Sequence, residues 1–278
     1  MRPPVTPIPI EDRFDPRIAA YAAMRERDLI GREGRFIVEG EVTLRVLLSG
    51  AARFPAESLL LSHERLAPLS DALAALPASV PVYTASKAVM SAIAGFPIHR
   101  GVMAVASCGA PPPLVLPPSP APVIMVGLVG LTNHDNVGGL FRNAAAFGAT
   151  GILLDSATCD PLYRKAIRVS AGAALIVPFA RLEAEAMLHF AQANDLVPLA
   201  FSPRGRAVLV DLPPSPRTLL LLGTEGPGLS HGLMARAQTV RIPMAPGFDS
   251  LNVATAGALA LHHLAMRARD NPHPLSRS

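Results

Sequence analysis

Apolar and polar residues follow two periods along this chain. Short apolar runs of strand length recur, and between them apolar residues fall three and four positions apart. Val123–Val129 (VIMVGLV) is a run of the kind found in strands buried on both faces. Over 136–148, Val137, Leu140, Phe141, Ala144, Ala145 and Gly148 fall at i, i+3, i+4, i+7, i+8 and i+11, which predicts an amphipathic helix. Residues 152–155, 175–179, 196–201 and 218–223 read as further strands, with helices filling most intervals. A last helix, ending near Arg269, is apolar nearly all round and is expected to be buried. Short apolar strands separated by helices predict a mostly parallel sheet covered on both faces, with ligands at the C-terminal ends of its strands.

The first half alternates in the same way on a smaller scale. Arg35–Glu39, 58–62, 80–84 and 101–106 read as strands, with helices predicted at 42–48, near 66–76 and at 86–94. This is a small α/β layer. Between the halves, seven of the twelve residues 111–122 are proline. Proline fixes φ and has no N–H to donate, so neither a helix nor a central strand survives that density. The chain divides into an N-terminal α/β domain (1–110), a stiff proline-rich linker (111–122) and a larger C-terminal domain (123–278).

Composition narrows the class. The chain has 278 residues, half of them apolar and 17% charged, so it fills real cores and is not disordered throughout. No apolar stretch is long enough to span a bilayer. The first thirteen residues hold four prolines and no apolar leader-like run, so a cytoplasmic protein is expected. The formal charge of +4 is compatible with a polyanionic partner and decides nothing. Two cysteines, Cys108 and Cys159, make no disulfide framework, and no metal-ligand spacing occurs, so no metal is expected.

Three clusters lie at strand-to-loop junctions. Asn136 can cap its helix, and Arg142 lies on the face opposite the apolar stripe, where it can hold a phosphate. By spacing alone, a cap and a solvated arginine account for this pair as well. The second cluster is Gly223-Thr224-Glu225-Gly226-Pro227-Gly228 after a strand. Its glycines let backbone approach a ligand, but it is neither G-x-G-x-x-G nor a P-loop, and a tight turn explains it equally. The third is Ile242-Pro243-Met244 with Ser250-Leu251-Asn252, where Ser250 can cap the last helix and the polar pair must find partners. Arg164, Lys165 and Arg168 put three cations on one helix, a surface suited to a nucleic-acid backbone or simply to water.

Taken in order, these stretches resemble the SpoU (TrmH-like) RNA ribose 2′-O-methyltransferases of the SPOUT group. The similar segments are NVGGLFRNAAAFGATGILL (136–154), YRKAIRVSAGA (163–173), LLLGTEGPGLS (220–230) and IPMAPGFDSLNVATAGALAL (242–261). The first half is more loosely similar to the small ribosomal-protein-like substrate-binding domain of that family. The resemblance implies a parallel-sheet domain with a deep trefoil knot. It implies a bent S-adenosylmethionine held by Gly223, Thr224, Gly226, Ile242, Met244 and Leu251 and released as S-adenosylhomocysteine. It places the active site at Asn136, Arg142, Glu225, Ser250 and Asn252. It implies a structured RNA substrate, ribosomal RNA favoured over transfer RNA, contacted by Arg164, Lys165 and Arg168. It also implies a homodimer built partly on the last helix, with no membrane association. The rival expectation is a catalytically inactive RNA-binding protein on the same fold. A dinucleotide-binding dehydrogenase or methyltransferase fits poorly, because its glycine loop should follow the first strand of the sheet.

Overall fold

The computed structural model describes residues 6–22, 26–109, 113–224 and 226–270. Its contacts cluster into two units, Met1–Pro112 with Leu162–Ile176, and Pro113–Pro161 with Val177–Ser278.

The first unit is a five-stranded sheet. Its elements are β1 (Ile8–Pro9), α1 (Glu26–Glu33), β2 (Arg35–Glu39), α2 (Glu41–Leu47), β3 (Ala56–Ser62), α3 (Ser70–Ala74), β4 (Val82–Ala85), α4 (Lys87–Ala94) and β5 (Val102–Ser107). The strand order is β1-β4-β3-β5-β2, parallel from β1 to β3 and antiparallel at β5 and β2. Ser86 caps α4 through its hydroxyl, accepting from Val89 N, and Gly95 ends the helix in the left-handed region. The helix expected near 66–76 is shorter: a 3₁₀ turn occupies His63–Arg65 and α3 only Ser70–Ala74.

The second unit holds β6 (Val123–Val129), α5 (His134–Phe147), β7 (Gly151–Leu154), β8 (Phe179–Arg181), α7 (Ala184–Ala193), β9 (Val197–Phe201), β10 (Ala207–Val208), β11 (Arg217–Gly223), α8 (His231–Ala235), β12 (Gln238–Arg241) and α9 (Val253–Asp270). Between β7 and β8, α6 (Arg164–Val169) goes with the first unit. The seven-stranded sheet runs β10-β12-β9-β11-β6-β7-β8, with every pairing parallel. Alternation along β11 explains its two covered faces. Leu219 and Leu221 pack with Met187, Leu188 and Ala191 of α7, while Leu222 on the other face meets α9 near Gly257.

Several expectations change. The 175–179 strand is not formed: Ala173–Leu175 is a 3₁₀ turn and the strand begins at Phe179. Leu175 instead offers its carbonyl to Arg53 N at 3.0 Å, and Gly172 sits so close to Val46 that a Cβ would come within 2.9 Å of it. Leu162–Ile176, read from the sequence as part of the C-terminal half, therefore lies with the first unit. The proline-rich stretch from Pro113 onward is anchored in the second unit. Buried Arg217 donates to the carbonyls of Pro117, Ala121 and Asn194 at 2.7–3.1 Å, and Leu114 covers Gly151. Pro111 and Pro112 fall outside the described residues. Helix α9 is not covered all round, since Leu259 and Met266 are exposed.

Candidate active site

The turn after β6 is held by a buried carboxylate. Asp155, at the end of β7, accepts from Gly130 N at 3.0 Å, from Thr158 N at 2.8 Å and from Thr158 Oγ1 at 2.6 Å. Thr158 Oγ1 in turn accepts from Leu131 N at 3.2 Å. A carboxylate taken out of water needs this many donors. The network sets where α5 begins. Its cap is Asn133, whose side chain accepts from Asp135 N at 2.8 Å, and not Asn136 as expected. Asn136 sits one turn later and is buried.

Asn136 meets a residue 116 positions away. Asn252 Nδ2 donates to Asn136 Oδ1 at 2.8 Å. The other end of the Asn252 amide caps α9, its Oδ1 accepting from Ala254 N at 2.9 Å and Thr255 N at 3.3 Å. The cap is thus Asn252 rather than Ser250, which is exposed on the loop before it. Small residues bring α5 and α9 close enough for this reach. A Cβ on Gly139 would lie 3.0 Å from Ala254 Cβ, and one on Gly257 only 2.4 Å from Leu140 Cδ2. Asn143 Nδ2 adds a bond to Ala254 O at 2.9 Å.

A cavity of about 490 Å³ opens between the ends of β9, β11 and β12 and the start of α9. Gly223, Thr224, Gly226, Ile242, Met244 and Leu251, the residues the resemblance assigns to the cofactor, all line it. Ser250 and Asn252 line it too. The glycine loop bends back on itself, with Gly228 N donating to Thr224 O at 3.2 Å and Gly226 and Gly228 at φ +90° and +67°, a region that costs other residues energy. Glu225 lies outside the described residues. Among the described residues no charged side chain lines the cavity. Its size falls within the roughly 300–1,000 Å³ of small-molecule sites. Apolar walls with exposed loop backbone suit an adenosyl group and a sulfur-bearing chain, and no arginine or lysine among the described lining residues stands ready for a nucleotide phosphate tail.

The remaining expected residues lie elsewhere. Arg142 is exposed on α5, six residues and so about 120° round the helix from Asn136, and does not line the cavity. Arg164 and Arg168 belong to the first unit, where both approach Glu39 Oε2, at 3.5 and 3.6 Å. Arg164 also stacks over the Phe96 ring at 4.1 Å. Lys165 is exposed beside them. Cys159 N donates to Leu131 O; burial, ahead of the Asp160 charge, pushes its thiol up to about 11, so it is no thiolate nucleophile at neutral pH. No cluster of His, Cys, Asp or Glu among the described residues could hold a metal ion. Sequence reasoning missed Asp155, although an acid closing an apolar strand three residues before a threonine is the pattern of a self-capped turn.

Residues 123–262 match the model of the SpoU rRNA Methylase family. An uncharacterized tRNA/rRNA methyltransferase of Mycobacterium tuberculosis is 37% identical over 274 residues, covering 94% of this chain and 92% of its own. Another, of Synechocystis, is 30% identical over 83% of this chain and 84% of its own. A crystal structure of an RNA 2′-O ribose methyltransferase superposes with a TM-score of 0.77 at 28% identity, covering 94% of this chain and 99% of its own. The SpoU methyltransferase AviRb from Streptomyces viridochromogenes, solved in complex with AdoMet, shares the fold with a TM-score of 0.76 at 24% identity, over 91% of this chain and 98% of its own.

Proposed function

We propose that this chain, which belongs to the SpoU rRNA Methylase family, uses S-adenosylmethionine to methylate a ribose 2′-hydroxyl in structured RNA. The observation that carries the reading is the convergence of the glycine loop and the segment from Ile242 to Asn252 on one cavity with no charged side chain among its described lining residues, tied at its edge by the Asn252–Asn136 bond. Ribosomal RNA is favoured over transfer RNA as substrate. The name of the matched family and the presence of a separate N-terminal unit support that preference.

S-Adenosylmethionine, when bound, supplies an electrophilic methyl group on a sulfonium and leaves as S-adenosylhomocysteine. The chain supplies position. Gly223, Thr224, Gly226 and Leu251 offer loop backbone, while Ile242 and Met244 give an apolar wall. Asn252, held by Asn136, fixes the start of α9 against the cavity, and Ser250 stands on the loop beside it. Alignment of the 2′-oxygen with the methyl group makes the transfer effectively unimolecular. The planar guanidinium of Arg142, with donors only, serves as a clamp on the acceptor's phosphate or hydroxyl. Glu225 orients a neighbouring group.

The working form is a homodimer in the cytoplasm, its C-terminal unit tied in a trefoil knot. The open apolar positions Leu259 and Met266 on α9 support pairing through that helix. Arg142 is exposed on the helix that packs against α9, and we assign it to the cavity of the partner subunit. Ribose methylation mapped across total RNA from a deletion strain tests the reading. One lost mark in ribosomal RNA is expected. A mark lost only from transfer RNA would overturn the ribosomal preference, and no lost mark would favour the inactive RNA-binding alternative.

A further inference from the structure

A second, larger groove of about 1,970 Å³ adjoins the cofactor cavity and shares Ser202, Met244 and Ser250 with it. Its chemistry is different. Arg204, Arg206 and Arg241 line it, against Asp249 as the one acidic side chain among the described lining residues. Arg204 and Arg206 are exposed on the turn after β9, and neither is paired with a carboxylate among the described residues.

That turn is bolted in place. Gly205 N donates to Ser202 O at 2.9 Å, and Ser202 N to Val240 O at 2.9 Å. Arg241 spends its guanidinium on the carbonyls of Gly205 and Arg206, at 2.6 and 2.9 Å. One arginine is thus used to hold the turn that presents two others. In the loop after β12, Ala245-Pro246-Gly247-Phe248 is a closed turn, with Phe248 N donating to Ala245 O at 3.1 Å. Proline second and a glycine at φ +86° third make it type II. It holds Phe248 outward, 75% exposed, on the loop that also carries Met244 and Ser250.

Two guanidiniums without a carboxylate partner among the described residues and an exposed aromatic ring, lining one groove on short turns, match an unstacked RNA strand: phosphates for the arginines, a base face for the ring. We infer that the acceptor RNA lies in this groove, with Arg204 and Arg206 on its backbone and Phe248 under a base flanking the methylated nucleotide. The inference rests on the methyltransferase reading for what happens in the adjoining cavity. It moves the RNA contact from Arg164 and Arg168, which Glu39 already engages, to the turns beside the cavity.

The full-length protein tests it, with a labelled oligouridylate as binding probe and in-vitro transcribed ribosomal RNA as methyl acceptor. The variants are Arg204→Glu with Arg206→Glu, and Phe248→Ala. Each is expected to raise KM for RNA about tenfold or more while kcat stays within about twofold. The double variant should also flatten the salt dependence of oligouridylate binding by about 1.4 in slope, two contacts at roughly 0.7 each. Affinity for S-adenosylmethionine, measured by calorimetry, should not change. Unchanged RNA affinity in the variants would overturn the inference. So would a dimer that falls apart in the double variant, which would make the groove a seat for a second copy of the chain. If the wild type transfers no methyl group to any RNA yet the variants lose oligouridylate binding, the groove stands and the catalytic reading falls.

Discussion

Asn252 donates its side-chain N–H to Asn136 Oδ1 at 2.8 Å while its own oxygen caps α9. One amide therefore sets both the start of the last helix and the position of a buried polar group on α5. Asn252→Ala removes a cap, worth about 1 kcal/mol, and the bond to Asn136, worth ~0.5–1.5 kcal/mol. Urea denaturation should show a loss of about 1.5–2.5 kcal/mol. The double variant with Asn136→Ala should cost less than the two single changes summed, by ~1 kcal/mol. Strict additivity would mean the bond contributes nothing.

Arg142 is exposed and away from the cavity wall, so replacing it should leave cofactor binding and folding intact. Arg142→Ala is expected to lower methyl transfer by at least about 100-fold, the scale for losing one charged donor at a reacting group. The melting temperature and S-adenosylmethionine affinity should match the wild type. With Arg142 assigned to the partner's cavity, co-expression with an Asn252→Ala chain should restore part of the activity in mixed dimers, because both defects then fall in one site and leave the other intact. Equal loss of cofactor binding and turnover in Arg142→Ala would remove this residue from the chemistry.

Among the described residues, buried Arg217 bonds only to carbonyls, those of Pro117, Ala121 and Asn194. A lysine offers one ammonium and no planar fork, so it cannot serve both sides at once. Arg217→Lys should cost about 2–3 kcal/mol in equilibrium unfolding and speed amide exchange near Ala121. An unfolding midpoint equal to the wild type would show that the proline-rich stretch is anchored by its apolar contacts alone.

Desolvation first, then the charges of Arg267 and His262, hold the His263 imidazole below its usual value. The unfolded chain therefore takes up this proton before the folded one as pH falls. Folding stability drops below about pH 6.5 and levels off once the lowered folded value is passed. The melting temperature should fall more steeply between about pH 7 and pH 5 in the wild type than in His263→Gln. Parallel curves would clear His263 of the acid sensitivity.

What could be read from the sequence was governed by local pattern. Val123–Val129 and Arg35–Glu39 form strands with the expected bounds, since a dense apolar run needs little context. Where distant contacts decide, pattern misled. Leu175-Ile176-Val177 has strand composition, yet the Leu175 carbonyl is taken by Arg53 and the segment turns. Gln238–Arg241 was overlooked because only Val240 in it is apolar, although β9 and β10 both pair with it. At the site, the residue types were legible and their division of labour was not. Asn136 reads as the cap from its place before the apolar stripe, and only the Asn133 bond to Asp135 N and the reach of Asn252 show the cap to be Asn133 and leave Asn136 for another role. The attachment of α6 to Glu39 was invisible, as no local signal announces a partner more than a hundred residues upstream.

The return of Leu162–Ile176 to the first unit bears on the order in which a ribosome delivers this protein. After Pro112 emerges, 176 − 112 = 64 more residues must follow before the piece that meets Val46 and Arg53 exists. At roughly 5–20 residues per second that is about 3–13 s of waiting. During it, β6, α5 and β7 come out while the earlier sheet still has a bare flank. The two units are consequently born interleaved, and a nascent chain halted within the proline-rich stretch holds a first unit that cannot yet close.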